Sequence, residues 1–283
     1  MTTGSPLGEF LYSARRNFNF CAGAFIILSV IIVACFAPYI APYSFDNAIR
    51  QDRFQPPGSK YLFGTDDFGR DMFSRVIYGS RITLEIALLG TAIQLVLGVV
   101  IGILGGYFGG YIDRMLMFLA DLTWCIPGII LALAVVTLLG AGLYNTIIAI
   151  SLVNWTQYAR IVRAKTLALK NQAFIETGIA FGEKAPAIMF RYILPNLVPA
   201  LIVMASMQLP STVMSTTALS FLGLGSQPPS PDWGLALSNS MKFINRAPWL
   251  SIFPGLALVY TVYGFNMLGE GLRDLIDPRM KSL

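Results

Sequence analysis

Six long apolar segments limit the folds open to this chain more than any other feature of the sequence. They cover residues 21–39, 83–105, 115–139, 143–158, 197–219 and 250–268. An apolar helix of about 20 residues crosses a hydrocarbon core of about 30 Å. Backbone polar groups in lipid must be satisfied inside the protein, so such segments are helical. The sequence therefore predicts an all-α membrane protein with six transmembrane helices, of which the fourth is the weakest because Asn154 and Gln157 interrupt it.

Composition excludes several other classes of protein. With 55% hydrophobic and 12% charged residues, the chain differs from an ordinary soluble domain. It has no histidine, and its three cysteines, Cys21, Cys35 and Cys125, all lie in apolar segments. Neither a metal cage nor a complete disulfide framework is expected. The sequence also lacks a GxxxxGK[ST] phosphate loop, so we expect no catalytic residue, no bound cofactor and no ATP hydrolysis by this chain.

The distribution of basic residues predicts the orientation of the chain. Arg15 and Arg16 precede the first apolar segment, which favours a cytoplasmic segment 1–20 ahead of a permease domain 21–283, with both termini cytoplasmic. Loops 40–82 and 222–248 are then extracytoplasmic and loop 159–196 is cytoplasmic. A cleaved signal is the alternative, since Val33, Ala34 and Cys35 resemble a lipoprotein cleavage site. The net charge of +5 is scattered over loops, so it indicates orientation rather than nucleic-acid binding.

Loop 159–196 is basic and also carries apolar residues at helical spacing. Phe174, Gly178 and Phe181 share one face of a predicted helix. Gly182 then acts as a hinge before a second, short helix with Pro186 in its first turn. A pair of helices on the membrane surface is predicted, and a purely stabilising role for this pair is the alternative.

The same loop resembles the cytoplasmic "EAA" loop of bacterial ABC importer permeases, which reads Glu-Ala-Ala, three residues, Gly, nine residues and Ile-x-Leu-Pro. The sequence departs from that pattern at Thr177 and Gly178, which replace two alanines, and at Tyr192, which replaces the isoleucine. In that family the loop is a coupling helix that docks on a separate ATPase subunit. The resemblance implies that the docking residues are Glu176, Thr177, Gly178, Gly182, Leu194 and Pro195.

Three further motifs resemble the dipeptide, oligopeptide and nickel branch of these permeases, and its C-type subunit in particular. They are FGTDxxGRDxxSR at 63–75, SFLGLGxQPPxPxWG at 220–234 and NxLGxGLRDxxDPR at 266–279. The spacing of the Asp and Arg side chains in the first motif allows local ion pairs, which have little energetic weight where they are exposed. The second motif lies in a loop that could face a substrate-binding protein or form a rigid cap without a partner. Its predicted contact residues are Gln227, Pro228, Pro229, Asp232 and Trp233.

Polar residues inside the apolar segments are candidates for a solute pathway or for helix packing. In the fifth segment the predicted pathway residues are Ser206, Gln208, Thr212 and Ser215, although these side chains could equally form hydrogen bonds between helices. Gly98, Gly102 and Gly106 recur every four residues, which predicts close helix packing. Asp121 is either part of the pathway or one half of a structural ion pair.

The resemblance implies a type I ABC importer permease in the bacterial inner membrane that moves solute by alternating access. The implied partners are a second similar permease, two cytoplasmic ATPase subunits that use ATP and Mg, and an extracytoplasmic binding protein. A di- or oligopeptide is the first choice of solute, and nickel or another metal chelate is the alternative. A secondary transporter driven by an ion gradient, or a channel, is the alternative from a different class.

Overall fold

The computed structural model describes residues 12–276, and within them it contains helices but no strand. The all-α prediction is therefore confirmed. The principal helices are α1 (Phe18–Cys35), α2 (Met72–Phe108), α3 (Gly110–Trp124), α4 (Gly128–Leu139), α5 (Leu143–Lys170), α6 (Ala173–Ala180), α7 (Ala185–Ile188), α8 (Leu194–Phe221), α9 (Trp233–Ser240) and α10 (Trp249–Ile276). Shorter turns occupy 12–16, Ala37–Ile40, Arg50–Asp52 and Met241–Phe243, and a π-helical turn, Met189–Ile193, joins α7 to α8.

Length and composition support four or five membrane spans within 12–276, where the sequence predicts six. The four are α1, α2, α10 and the continuous helix 185–221. The pair α3 and α4 would be a fifth, but the two helices are bent by 94° at their break. The single predicted span 115–139 is therefore two helices, with Pro127 at the N-cap of α4. The remaining predicted span lies in α5, which is 28 residues long but carries Arg160 and Arg163.

Close packing of α2 against α5 forms the centre of the bundle, as the spacing of the glycines predicts. A Cβ atom on Gly102 would lie 2.6 Å from the carbonyl oxygen of Ala159, and one on Gly106 would lie 2.7 Å from Cβ of Thr166. Gly98 makes an even closer approach to Tyr158. The three glycines thus lie along a single contact with α5, and their predicted packing role is confirmed.

The helices place two sets of connecting segments at opposite ends of the bundle. At the loop end, residues 41–71 and 222–248 surround the start of α2, and Trp249 donates a hydrogen bond to the carbonyl oxygen of Thr65. At the basic end, residues 171–193 pack on the last turns of α2. Asn17, which caps α1, lies 3.4 Å from Asp274 near the end of α10. The start of α1 and the end of α10 therefore lie together at the basic end.

Parts of the two predicted loops are continuous with long helices, which the sequence did not indicate. Helix α2 begins at Met72, so the last part of loop 40–82 forms its first turns, capped by the Asp71 carboxylate at 2.8 Å from the amide nitrogen of Ser74. Loop 159–196 begins inside α5, which continues to Lys170. Its predicted short second helix, with Pro186 in the first turn, is the beginning of the continuous helix 185–221.

Candidate coupling segment and solute pathway

The segment 173–195, called the coupling segment here, has one face anchored in the core and another face free. Ile175 is fully buried and packs with Ile103 of α2 and Val162 of α5. Gly178 is also buried, and a Cβ atom on it would lie 3.8 Å from the ring of Tyr192. Phe174 and Phe181 are 42% and 85% exposed, and Phe181 lies just beyond the end of α6. The prediction that Phe174, Gly178 and Phe181 share one helix face was therefore wrong, because Gly178 turns toward Tyr192 while both aromatic rings stay accessible.

The hinge predicted at Gly182 is present in the backbone. Its φ angle is +80°, in the left-handed region that glycine adopts without steric cost. The amide nitrogen of Glu183 then donates to the carbonyl oxygen of Gly178 at 3.1 Å. The Glu183 carboxylate accepts a hydrogen bond of 2.8 Å from the hydroxyl of Tyr192, which ties the hinge to the π-helical turn. Tyr192, where the sequence departs from the family pattern, is therefore the residue that contacts Glu183.

The six predicted docking residues do not form one continuous surface in this structure. Glu176, Thr177, Gly182 and Pro195 are exposed, whereas Gly178 is buried and Leu194 packs against the core cluster around Ile193. The exposed aromatic rings of Phe174 and Phe181 belong to the same segment, and the apolar spacing in the sequence had marked both. The docking role of this segment remains a prediction. The exposed residues of the segment are accessible to a docking partner.

The predicted pathway residues divide between packing positions and a cavity. Ser206 is buried and donates to the carbonyl oxygen of Val203 at 2.8 Å. Thr212 is also buried, between Thr91 and Gln94 of α2. Ser215 is half-buried on the same helix. Gln208 lines a cavity of about 150 Å³ between α5 and α8. The roles of all four in the pathway remain predictions.

The polar contact between Thr91, Gln94 and Thr212 was not predicted from the sequence. Gln94 is fully buried, and its amide nitrogen lies 3.3 Å from the hydroxyl oxygen of Thr212. It is the single amide side chain in the apolar segment 83–105. A lone polar residue in an apolar segment was the sequence feature that could have indicated this contact. Hydrogen bonds of this kind stabilise packing between helices.

Asp121 forms an ion pair, as one of its two predicted roles requires. Its carboxylate accepts a hydrogen bond of 2.7 Å from the guanidinium of Arg160 on α5. The guanidinium carbon lies 4.1 Å from the centre of the Trp124 ring. The pair is well exposed, with 63% of the Asp121 side chain accessible.

At the loop end, Asp66 and Arg70 form a local ion pair that the spacing allows. The carboxylate of Asp66 accepts a hydrogen bond of 2.7 Å from Arg70, and the side chains are only 8% and 10% exposed. The low energetic weight of an exposed pair therefore does not apply, because the turn from Thr65 to Asp71 folds both side chains inward. Burial, together with the adjacent Asp66 carboxylate, raises the pKa of the Asp67 carboxyl above its usual value.

Arg75, one turn further along, connects the two loops of this end. Its guanidinium donates to the carbonyl oxygens of Phe45 at 2.9 Å and of Pro229 and Ser230 at 3.1 Å and 2.8 Å. Buried arginine is stabilised when several acceptors surround it. Arg75 therefore holds loop 222–248 against loop 41–71, a role that its membership of the motif does not predict.

Two of the five residues expected to face a binding protein are internal. Asp232 is buried and caps α9 by accepting a hydrogen bond of 2.8 Å from the amide nitrogen of Leu235. Burial raises the pKa of its carboxyl above the usual value. Trp233 is also buried and donates to the carbonyl oxygen of Val76 at 3.1 Å. The predicted outward role of both residues is corrected to a structural one, whereas Gln227, Pro228 and Pro229 are exposed.

The long apolar helices, the buried glycine contact and the anchored coupling segment together define a multi-pass helical membrane permease. Similarity to known proteins gives the family. Residues 98–282 match the family described as binding-protein-dependent transport system inner membrane component. Residues 5–57 match the N-terminal TM domain of oligopeptide transport permease C. The chain belongs to the family of binding-protein-dependent inner membrane permeases, in the branch predicted from its motifs.

Curated relatives resemble the chain over almost its whole length. A dipeptide transport system permease protein, DppC, of Alkalihalophilus pseudofirmus is 41% identical over 99% of this chain and 92% of the relative. A glutathione transport system permease protein, GsiD, of Escherichia coli is 41% identical over 98% of this chain and 92% of the relative. Among solved structures, an inward-facing MetNI methionine ABC transporter matches with a TM-score of 0.58 and 20% identity, covering 72% of this chain and 97% of that one. That last match supports the fold alone.

Proposed function

We propose that the chain is the C-type permease subunit of an ATP-driven importer for di- or oligopeptides. The observation that carries this proposal is the 41% identity, over 99% of the chain, to a permease named for dipeptide transport. The second relative is named for transport of glutathione, itself a small peptide. Both point to short peptides as the solute class.

The proposed partners follow from the family and from the surfaces of this chain. A second similar permease would complete the translocation path. Two ATPase subunits, which bind ATP and Mg, would serve the permease pair, and one of them would dock on the coupling segment of this chain, where Phe174, Glu176 and Phe181 are exposed. An extracytoplasmic binding protein would deliver peptide to the loop end, where Gln227 and the two prolines that follow it are exposed.

The geometry provides a route by which ATPase movement would reach the spanning helices. Ile175 and Ile188 are buried in the same cluster as Ile193 and Leu197, on both sides of the hinge at Gly182. A force on α6 would thus be transmitted to the start of α8 through packed side chains. Rigid-body motion of helices around a fixed solute site is the general form of alternating access.

The test uses the complete complex reconstituted in lipid vesicles. Its ATPase rate is measured with binding protein that is empty, loaded with dipeptide or loaded with nickel chelate. Stimulation by the peptide-loaded form, with ATP-dependent peptide uptake, is the expected result. Stimulation by the chelate-loaded form alone would change the proposed solute from a peptide to a metal chelate and leave the ATP-driven import mechanism unchanged. Failure of any ATPase subunit to copurify with the chain would contradict the coupling role and favour a secondary transporter.

A further inference from the structure

The cavity between α5 and α8 contains polar groups that have no partner in the described part of the chain. Its volume is about 150 Å³. It is lined by Gln157, Tyr158, Ile161, Met204, Met207 and Gln208. Tyr158 is 1% exposed, and its hydroxyl makes no hydrogen bond within residues 12–276. The side-chain amides of Gln157, which is exposed, and of Gln208, which is half-buried, also show no hydrogen bond to any described residue. Buried polar groups in proteins are normally paired, so the Tyr158 hydroxyl is the exception that the cavity must explain.

A charged pair joins α5 to α3 about one turn of α5 away from Gln157. Arg160 is three residues from Gln157, a spacing that places both on one helix face. Its partner Asp121, on α3, has 63% of its side chain accessible. Ionised side chains within spanning segments face protein or water rather than hydrocarbon. We therefore expect the cavity wall that carries Gln157 and Gln208, called the polar face here, and the nearby charged pair to face protein or water rather than lipid in the assembled protein.

We propose that this polar face lines the water-filled path, and that Gln157, Tyr158 and Gln208 hydrogen-bond the peptide groups of the passing solute. This inference rests on the proposed function and adds a solute contact to it. Side-chain amides both donate and accept hydrogen bonds, as peptide groups do, and none of the three side chains carries a fixed charge. Met204 and Met207 provide flexible, polarisable walls, which suit solutes with different side chains.

Water access is tested by cysteine labelling of the complete complex in membrane vesicles. Cys21, Cys35 and Cys125 are replaced by serine, and Gln157→Cys or Gln208→Cys is introduced. A charged, water-soluble thiol reagent is applied without nucleotide and during ATP turnover. We expect both cysteines to be modified in at least one condition. Val259 lies on the apolar face of α10 and is 64% exposed, and Val259→Cys is the control that should stay unmodified. Protection of both test cysteines in both conditions would overturn the proposal.

Solute contact is tested by Tyr158→Phe, which removes only the unpaired hydroxyl and leaves the packed ring. We expect peptide uptake to fall about three- to tenfold, the factor that one hydrogen bond contributes. Complex assembly and the affinity of the binding protein for peptide should be unchanged. Tyr260→Phe is the matched control, because its hydroxyl lies 3.0 Å from Ser29, away from the cavity.

The outcomes separate this inference from the function on which it rests. Peptide uptake by the wild-type complex together with equal uptake by Tyr158→Phe would overturn the solute contact and leave the proposed function standing. Absence of peptide uptake by the wild-type complex would overturn the proposed function and, with it, the peptide contact. Modification of the two test cysteines would still support a water-lined face in that second case.

Discussion

At the scale of single residues, the contact between α2 and α5 depends on glycines, which have no side chain. Three glycines let the two helices approach so closely that a methyl group has no free space at any of them. At Gly102, both the carbonyl oxygen of Ala159 and the Cβ atom of Val162 would lie within 2.7 Å of an added Cβ atom. Close-packed interiors respond to added methyl groups by backbone shifts rather than by local adjustment.

We therefore expect Gly102→Ala to destabilise the protein by about 1–3 kcal/mol. Gly255→Ala is the matched control: this glycine is also helical, but an added Cβ would lie 3.8 Å from Leu237, an ordinary contact. The control should be neutral or should stabilise by up to about 1 kcal/mol, because alanine is the better helix former. The measurement is the thermal midpoint for loss of monodisperse complex in detergent. Equal midpoints for the two variants would contradict the packing role.

The glycine contact was predictable because small residues at four-residue intervals in an apolar helix usually mark a close contact with another helix. Its partners were not predictable, since Tyr158, Ala159 and Val162 carry no mark of the helix they meet. The roles of Asp232 and Trp233 were also not predictable. A loop rich in proline, tryptophan and glycine does not reveal which side chains cap a helix or turn inward, and both residues do.

At the scale of elements, the hinge at Gly182 sets the angle between α6 and the helix that follows. No atom of the described residues lies within 4 Å of a Cβ position on this residue, so space does not require glycine there. The requirement comes from the φ angle of +80°, which a β-branched residue adopts only with strain. A substitution at this position therefore acts on the backbone alone.

Gly182→Val should cost about 1–2 kcal/mol of local strain, relieved by reorientation of α6 and loss of the hydrogen bond between Tyr192 and Glu183. We expect less ATPase subunit to copurify and less peptide uptake, with the thermal midpoint of the spanning helices nearly unchanged. Ala180→Val, at an exposed position two residues earlier, is the control that should keep both activities. Normal assembly and transport in Gly182→Val would remove the hinge from the mechanism.

The order of helices followed from the apolar segments, but their ends and bends did not. The segment 115–139 carries no charged residue apart from Asp121, and Pro127 alone does not distinguish a mild kink from the 94° break between α3 and α4. The first turns of α2 were predicted as a short charged helix inside loop 40–82, whereas they are continuous with the spanning helix and contain Arg75. That side chain is buried by carbonyl oxygens from segments that are distant in sequence, which composition cannot show.

At the scale of the whole molecule, the coupling segment, the start of α1 and the end of α10 share one end of the bundle. Helix α1 meets α10 at Gly271, where a Cβ atom would lie 2.5 Å from Cα of Phe20. The basic residues Arg163, Lys170, Lys184 and Arg191 lie at or near the same end. Positive charge concentrates on the cytoplasmic side of inner membrane proteins, so the geometry and the charge distribution favour the same orientation.

The orientation is tested with single cysteines at two exposed positions, Lys184→Cys in the coupling segment and Gln227→Cys in loop 222–248. Both are placed in the background in which Cys21, Cys35 and Cys125 are serine. A membrane-impermeant thiol reagent added to spheroplasts should label position 227 and leave position 184 unlabelled, because the two positions lie on opposite sides of the spanning helices. After the cells are opened, both should be labelled, which controls for reactivity. Labelling of position 184 alone in spheroplasts would show the opposite orientation of the chain. The coupling segment would then lie where no cytoplasmic ATPase could reach it.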